Sequence, residues 1–157
     1  MTDEHSTDQR RVVVGVDGSP QSEQALRWGA YFASTVGGRV DAITAWEYPT
    51  AYGWTAPLPP EWDPSRDMDG VAHDTVRKAF AGRPPVEIEI SVREGGAARV
   101  LLDAAEGADL LVVGSRGHGG FMGLLLGSVS ASVAEHASCP VLIVHGGQEP
   151  PTALQRP

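Results

Sequence analysis

A single cysteine, Cys139, occurs in the 157 residues, which excludes an internal disulfide framework and any cysteine-rich metal site. Long apolar runs are missing as well: no stretch approaches the ~20 residues of a membrane-spanning helix. Positive charge is scarce. Lys and Arg number 12 against 20 Asp and Glu, a formal net charge of -8, and the basic residues are scattered, so the footprint of a nucleic-acid surface is absent. The start, Met1-Thr2-Asp3-Glu4-His5-Ser6-Thr7-Asp8, is polar and acidic, without the basic and apolar blocks of a secretory signal. His73, His136 and His145 have no neighbours at metal-ligand spacing. These absences leave a cytoplasmic protein with no nucleic-acid partner, no membrane partner and no protein-bound metal as the expectation.

What is present suits one globular domain with a core of its own, with 41% hydrophobic residues to fill it. Residues 1–10 read as a disordered tail, 11–145 as the domain and 146–157 as a second loose tail. Arg11-Val12-Val13-Val14-Gly15-Val16 is a β-branched strand. Ser19-Pro20 then starts a helix, with a capping side chain ahead of a residue that lacks the unneeded N–H; Gly37-Gly38 stops it. A second strand runs through Val40 to Trp46. Tyr48 to Pro64, with five prolines and two tryptophans, fits no period and reads as an irregular excursion. Met68, Val71, Ala72, Thr75, Val76, Ala79 and Phe80 mark a helix, and Val86 to Val92 alternates as an edge strand. Gly95-Gly96 leads into a short helix ended by Gly107. A strand at 109–113, a helix from Ser128 to Ala137 and a last strand Pro140 to Val144 follow. The order β-α-β-α-β-α-β-α-β predicts an α/β fold: an open five-stranded parallel sheet with helices on both faces, Rossmann-like.

Between the strand at 109–113 and the helix at 128 lies Gly114-Ser115-Arg116-Gly117-His118-Gly119-Gly120-Phe121-Met122-Gly123-Leu124-Leu125-Leu126-Gly127. Strand-to-helix connections usually take about 2–6 residues, and this one is roughly twice that. It carries six glycines. Glycine lets a ligand approach the backbone, and a helix N-terminus offers unpaired N–H groups and the positive end of the dipole. The combination describes an anion cradle, most often for phosphate. It lacks the Gly-Lys-Ser/Thr of a P-loop, and Gly15-Val16-Asp17-Gly18-Ser19 after the first strand is not a dinucleotide fingerprint.

The spacing that does occur is Gly114-x2-Gly117-x9-Gly127-Ser128. With Val14-Gly15-Val16-Asp17 at one end of the domain and Cys139-Pro140-Val141-Leu142-Ile143-Val144 at the other, it resembles the universal stress protein family, in its nucleotide-binding branch. The resemblance implies an adenine nucleotide site for ATP, with or without Mg²⁺, and cyclic AMP as an alternative ligand. It sets Asp17 and Ala45 beside adenine and counts Gly15 among the site residues. Val113, Gly114, Ser115, Arg116, Gly117, His118, Gly119 and Gly120 would follow ribose and phosphates, and Gly127, Ser128, Val129 and Ser130 would close on the phosphates. The residues read alone leave alternatives open: Asp17 as a helix-start carboxylate, Arg116 as a solvated charge, His118 as an exposed loop side chain, Cys139 as a small core residue. The resemblance further implies a homodimer paired through 141–144. With no Glu in 107–134 to activate water, slow hydrolysis at most is expected of a regulatory protein. An ATP-dependent enzyme whose second pocket is lined by 48–64, and a nucleotide-free adaptor dimer, are the competing readings.

Overall fold

The computed structural model describes residues 9–48, 50–51, 54–55, 59–117 and 126–151. Strands β1 (Arg11–Gly15) and β2 (Arg39–Trp46) flank helix α1 (Pro20–Val36) in sequence. A two-stranded antiparallel ribbon, β3 (Thr50–Ala51) and β4 (Trp54–Thr55), precedes α2 (Pro64–Phe80). The chain continues as β5 (Ile88–Glu94), α3 (Ala97–Ala104), β6 (Leu110–Gly114), α4 (Ser128–His136) and β7 (Val141–Val144). Five strands form one parallel sheet in the order β5-β2-β1-β6-β7, as the alternation of elements predicts. Among the described residues no helix is long and apolar enough to cross a membrane.

Alternation along β1 assigns the two faces. Val12 and Val14 join Ala25, Leu26, Ala30 and Ala33 of α1 and Ala79 of α2 in one core. Val13 joins Leu111, Val113 and the inward residues of α3 and α4 in the other. Burying each such valine or leucine contributes about 1.5–3 kcal/mol. The N-terminal ends of the strands are tied by charge: Asp41 sits between Arg11 (3.1 Å) and Arg39 (3.0 Å), and Asp109 accepts from the Arg11 N–H (2.9 Å) and Arg10 (2.8 Å).

Caps decide where helices begin. Ser19 accepts from the Ser22 N–H at 3.2 Å with Pro20 as first helical residue, and Gly37 closes α1 at φ 68°. The same pairing, Asp63 accepting from the Arg66 N–H ahead of Pro64, starts α2 four residues before Met68. The last proline of the segment read as irregular is therefore the first residue of a helix. Strand β5 also lies two residues later than the alternation at 86–92 suggests, at the sheet edge as expected.

β1, α1, β2, α2 and β5 are laid down in one direction from the centre, and β6 and β7 in the other. The order reverses between β1 and β6. Crevices at the carboxyl ends of strands at such a reversal are where open α/β sheets bind ligands. Asp17 follows β1 and the glycine-rich connection follows β6, so both lie at that edge.

Candidate functional site

A cavity of about 310 Å³ opens at this reversal. Its floor is apolar, made by Ile43 and Ala45 of β2, Val113 of β6 and Leu101 of α3; Gly15, Asp17, Gly114, Arg116 and Gly117 form its walls and Gly127 to Ser130 its far end. One end is acidic. Asp17 Oδ1 accepts the Ser19 N–H (2.9 Å) and the Ser19 hydroxyl, and its Oδ2 lies against the Gly117 backbone. Asp17 thus combines the helix-start role with a place on the cavity wall. The other end is the start of α4, where no side chain caps the helix and no acidic residue stands in the first turn. Its N–H groups and dipole favour an anion there.

Helix α3 also starts at a glycine, Gly96, without a side-chain cap. A carboxylate oxygen of Glu47 comes within 3.3 Å of where a Gly96 Cβ would stand, so this helix end already faces a negative charge. Of the two uncapped helix starts beside the cavity, only that of α4 is left for an external anion among the described residues.

The glycines are explained by different neighbours. A Cβ on Gly15 would meet Leu101 Cδ1 at 3.0 Å, and one on Gly114 would meet Gln21 Cβ at 3.0 Å. On Gly117 it would collide with Asp17 Oδ2, so the space beside this glycine is filled by a carboxylate of the same chain. Gly127 is different. Its φ of -69° suits any residue, and a Cβ there would find its nearest described neighbours at 3.6 Å, an ordinary contact. Nothing among the described residues requires glycine at 127, and Ser, Asp or Asn would cap α4 better.

The serines divide as well. Ser128 has no hydrogen-bond partner for its hydroxyl among the described residues, and with Val129 it lines the cavity. Ser130 lines it too, but its buried hydroxyl faces the Ser115 (2.9 Å) and Gly127 (3.0 Å) carbonyls, to which it donates its proton. Ser115 is buried and lies behind the wall: its N–H donates to Val144 O (2.8 Å) and its carbonyl accepts the Gly127 N–H (2.7 Å). These bonds bring both ends of the glycine-rich connection together. His118, Gly119 and Gly120 lie outside the described residues, as do Leu124 and Leu125. Val16, Ser19, Ser22, Ile43, Ala97 and Leu101 join the lining without a signal in the motif; for Ala97 and Leu101 the hint is their place on a helix that follows Gly95-Gly96. No residue of the 48–64 segment is among the described residues that line the cavity, and Tyr48 instead meets Trp46 edge-on with centroids 5.0 Å apart. Burial pushes the Cys139 thiol above its ordinary range, which fits a packing residue rather than a nucleophile.

Residues 9–145 match the model of the Universal stress protein family. A universal stress protein of Mycolicibacterium smegmatis is 36% identical over 137 residues, covering 85% of this chain and 45% of that protein. The chain thus spans about half the length of the curated relatives it matches. A universal stress protein in complex with cAMP is 31% identical, with a TM-score of 0.60 over 88% of this chain and 98% of that one. A universal stress protein family member from Arabidopsis thaliana with AMP bound shares the fold at 21% identity, with a TM-score of 0.54 over 87% and 91% of the two chains. With the sheet order, the crevice and 137 matched residues in agreement, this chain belongs to the universal stress protein family.

Proposed function

We propose that this protein is a regulatory adenine-nucleotide binder that holds ATP, with or without Mg²⁺, and acts as a homodimer in the stress response. The base would lie on the apolar floor, beside Asp17, Ala45 and Val113. The phosphates would lie against Arg116, Gly127, Ser128 and Val129, and the family resemblance adds His118 to Gly120 as ligand contacts. The observation that carries this reading is Gly127: the described residues leave room for a larger, better-capping residue, yet a bare backbone stands at an uncapped helix start. A phosphate accounts for both features, because it caps the N–H groups itself and needs the space. Arg116 adds a charge-assisted bond worth about 1.5–3 kcal/mol when well paired.

Turnover is expected to be slow. Asp17 is the one carboxylate among the described cavity residues, and its Oδ1 already accepts from Ser19. An ATP-dependent enzyme would need a second substrate pocket, which the 48–64 segment does not supply among the described residues. Cyclic AMP is the second reading, favoured by the 31%-identical structure in complex with cAMP. Calorimetric titration with ATP, ADP, GTP and cyclic AMP, with and without Mg²⁺, separates these. Gly127→Ala is the matched variant, because a methyl there meets no described atom closer than 3.6 Å, whereas one on Gly117 collides with Asp17. Adenine-selective binding that Gly127→Ala weakens at least about tenfold, a loss of about 1.4 kcal/mol, is the expected result. No binding by the folded wild type would overturn the nucleotide reading and leave the adaptor dimer.

A further inference from the structure

Ser115, where the glycine-rich connection leaves β6, is held by backbone bonds to β7 and to the start of α4. Arg116, the next residue, is held from α1. The Arg116 N–H donates to Gln21 Oε1 at 2.7 Å, and the Ser115 hydroxyl approaches the same oxygen at 3.4 Å. Gln21 is the second residue of α1, 95 positions away in sequence from Arg116, and belongs to no part of the glycine pattern. Its Cβ stands 3.0 Å from where a Cβ on Gly114 would be, so a side chain at 114 would crowd α1 against the end of β6. Only the amide oxygen can accept the Arg116 N–H, which orients the side chain with its nitrogen away from the connection and on the side of Gly146.

We propose that Gln21 is a positioning residue for the nucleotide site, an inference that rests on the nucleotide reading above. By accepting the Arg116 N–H it fixes the backbone of Arg116, whose Cα lies 3.6 Å from where a Gly127 Cβ would stand at the start of α4, and, one residue on, of Gly117. The placement of Arg116 beside that helix start decides whether one ligand can reach Arg116 and the α4 N–H groups together. Without the acceptor, the Arg116 N–H turns to water and the wall must be ordered again at each binding event, a cost taken out of affinity.

The test compares Gln21→Met, of the same length but without an acceptor, with Gln21→Glu, which keeps an acceptor oxygen. In Gln21→Met the nucleotide-free protein should melt as wild type does, the Arg116 amide should exchange hydrogen faster, and adenine nucleotide should bind about tenfold more weakly. Gln21→Glu should restore protection of the Arg116 amide. At about 0.5 M salt, where its added charge is screened, it should also restore most of the affinity. Wild-type affinity in Gln21→Met, or no recovery of either readout in Gln21→Glu, would overturn the role of Gln21. Wild type failing to bind any of the nucleotides is a separate result, read from the wild-type titration alone; it would overturn the nucleotide reading and this role with it.

Discussion

Gly117 and Gly127 stand in the same sequence pattern for different reasons. At Gly117 a side chain of the same protein, Asp17, takes the space, while at Gly127 the space is open among the described residues. The contrast predicts a trade between stability and binding. Gly127→Ser places a hydroxyl where it can accept from the first-turn N–H groups of α4. It should leave nucleotide-free stability equal to wild type or higher by a few tenths of a kcal/mol. The same hydroxyl competes with a phosphate for those N–H groups, so affinity should fall. Thermal melts and titrations on one preparation check both halves, and a variant both less stable and fully competent would contradict the argument. Cys139 supplies a second check at this scale. With its thiol pushed up by burial, it should react with a disulfide reagent at pH 7.5 more slowly than a free thiol of ordinary pKa.

Elements whose identity depends on local signals are legible in the sequence. Ser19-Pro20 and Gly37 bound α1 because capping and left-handed closure are properties of a few adjacent residues. Asp63-Pro64 carries the same signal, but it sits in a proline- and tryptophan-rich stretch without a period, so the start of α2 is hidden. The β3–β4 ribbon, with two residues in each strand, is too short to show alternation. The tail after His145 has the composition of a loose segment, yet Arg27 pairs with Glu149 at 2.7 Å and Trp28 Nε1 donates to Gln148 O at 3.0 Å. Both contacts, like Gln21 to Arg116, join side chains to distant chain segments, which no local pattern encodes. Asp109, at the start of β6, tests such a long-range tie. The Arg11 backbone N–H and the Arg10 guanidinium hold its carboxyl below the usual range. A depressed folded pKa means that the contribution is present above the unfolded value of about 3.9 and is lost as pH falls through the folded value. Asp109→Asn should therefore lower the melting temperature by a few degrees at pH 7 and flatten the acid limb below about pH 4. Because the side chain is partly exposed, solvent screening keeps the loss near or below about 1 kcal/mol. Unchanged pH dependence in melts at pH 7, 4 and 3 would remove the tie.

At the scale of the whole molecule, β7 is an open edge of the sheet among the described residues. It pairs with β6 on one side, and Val141, Leu142 and Ile143 are only half-buried. Pro140 O and Val144 O accept from the N–H groups of Leu111 on β6 and Ser115 just beyond it. In a parallel ladder the bonding residues alternate, so Leu142 also faces β6 while Val141 and Ile143 turn their N–H and C=O groups outward. An apolar strand with an open row of backbone groups invites pairing with another strand. A second copy of β7 answers both the apolar surface and the open row, which supports the proposed homodimer. The same strand receives the Ser115 N–H, so pairing there would brace the wall of the cavity and make nucleotide affinity rise with dimerisation. By reciprocity, nucleotide would tighten the dimer by the same factor. Val141→Pro removes one outward N–H without touching a bond to β6, and Val141→Ala loses the same packing while keeping the N–H. Sedimentation across a concentration series should show a dimer for wild type and Val141→Ala and a monomer for Val141→Pro, with weaker nucleotide binding only in the monomer. A Val141→Pro dimer would move the interface off this edge, and a monomeric Val141→Pro with wild-type affinity would break the link between assembly and the site.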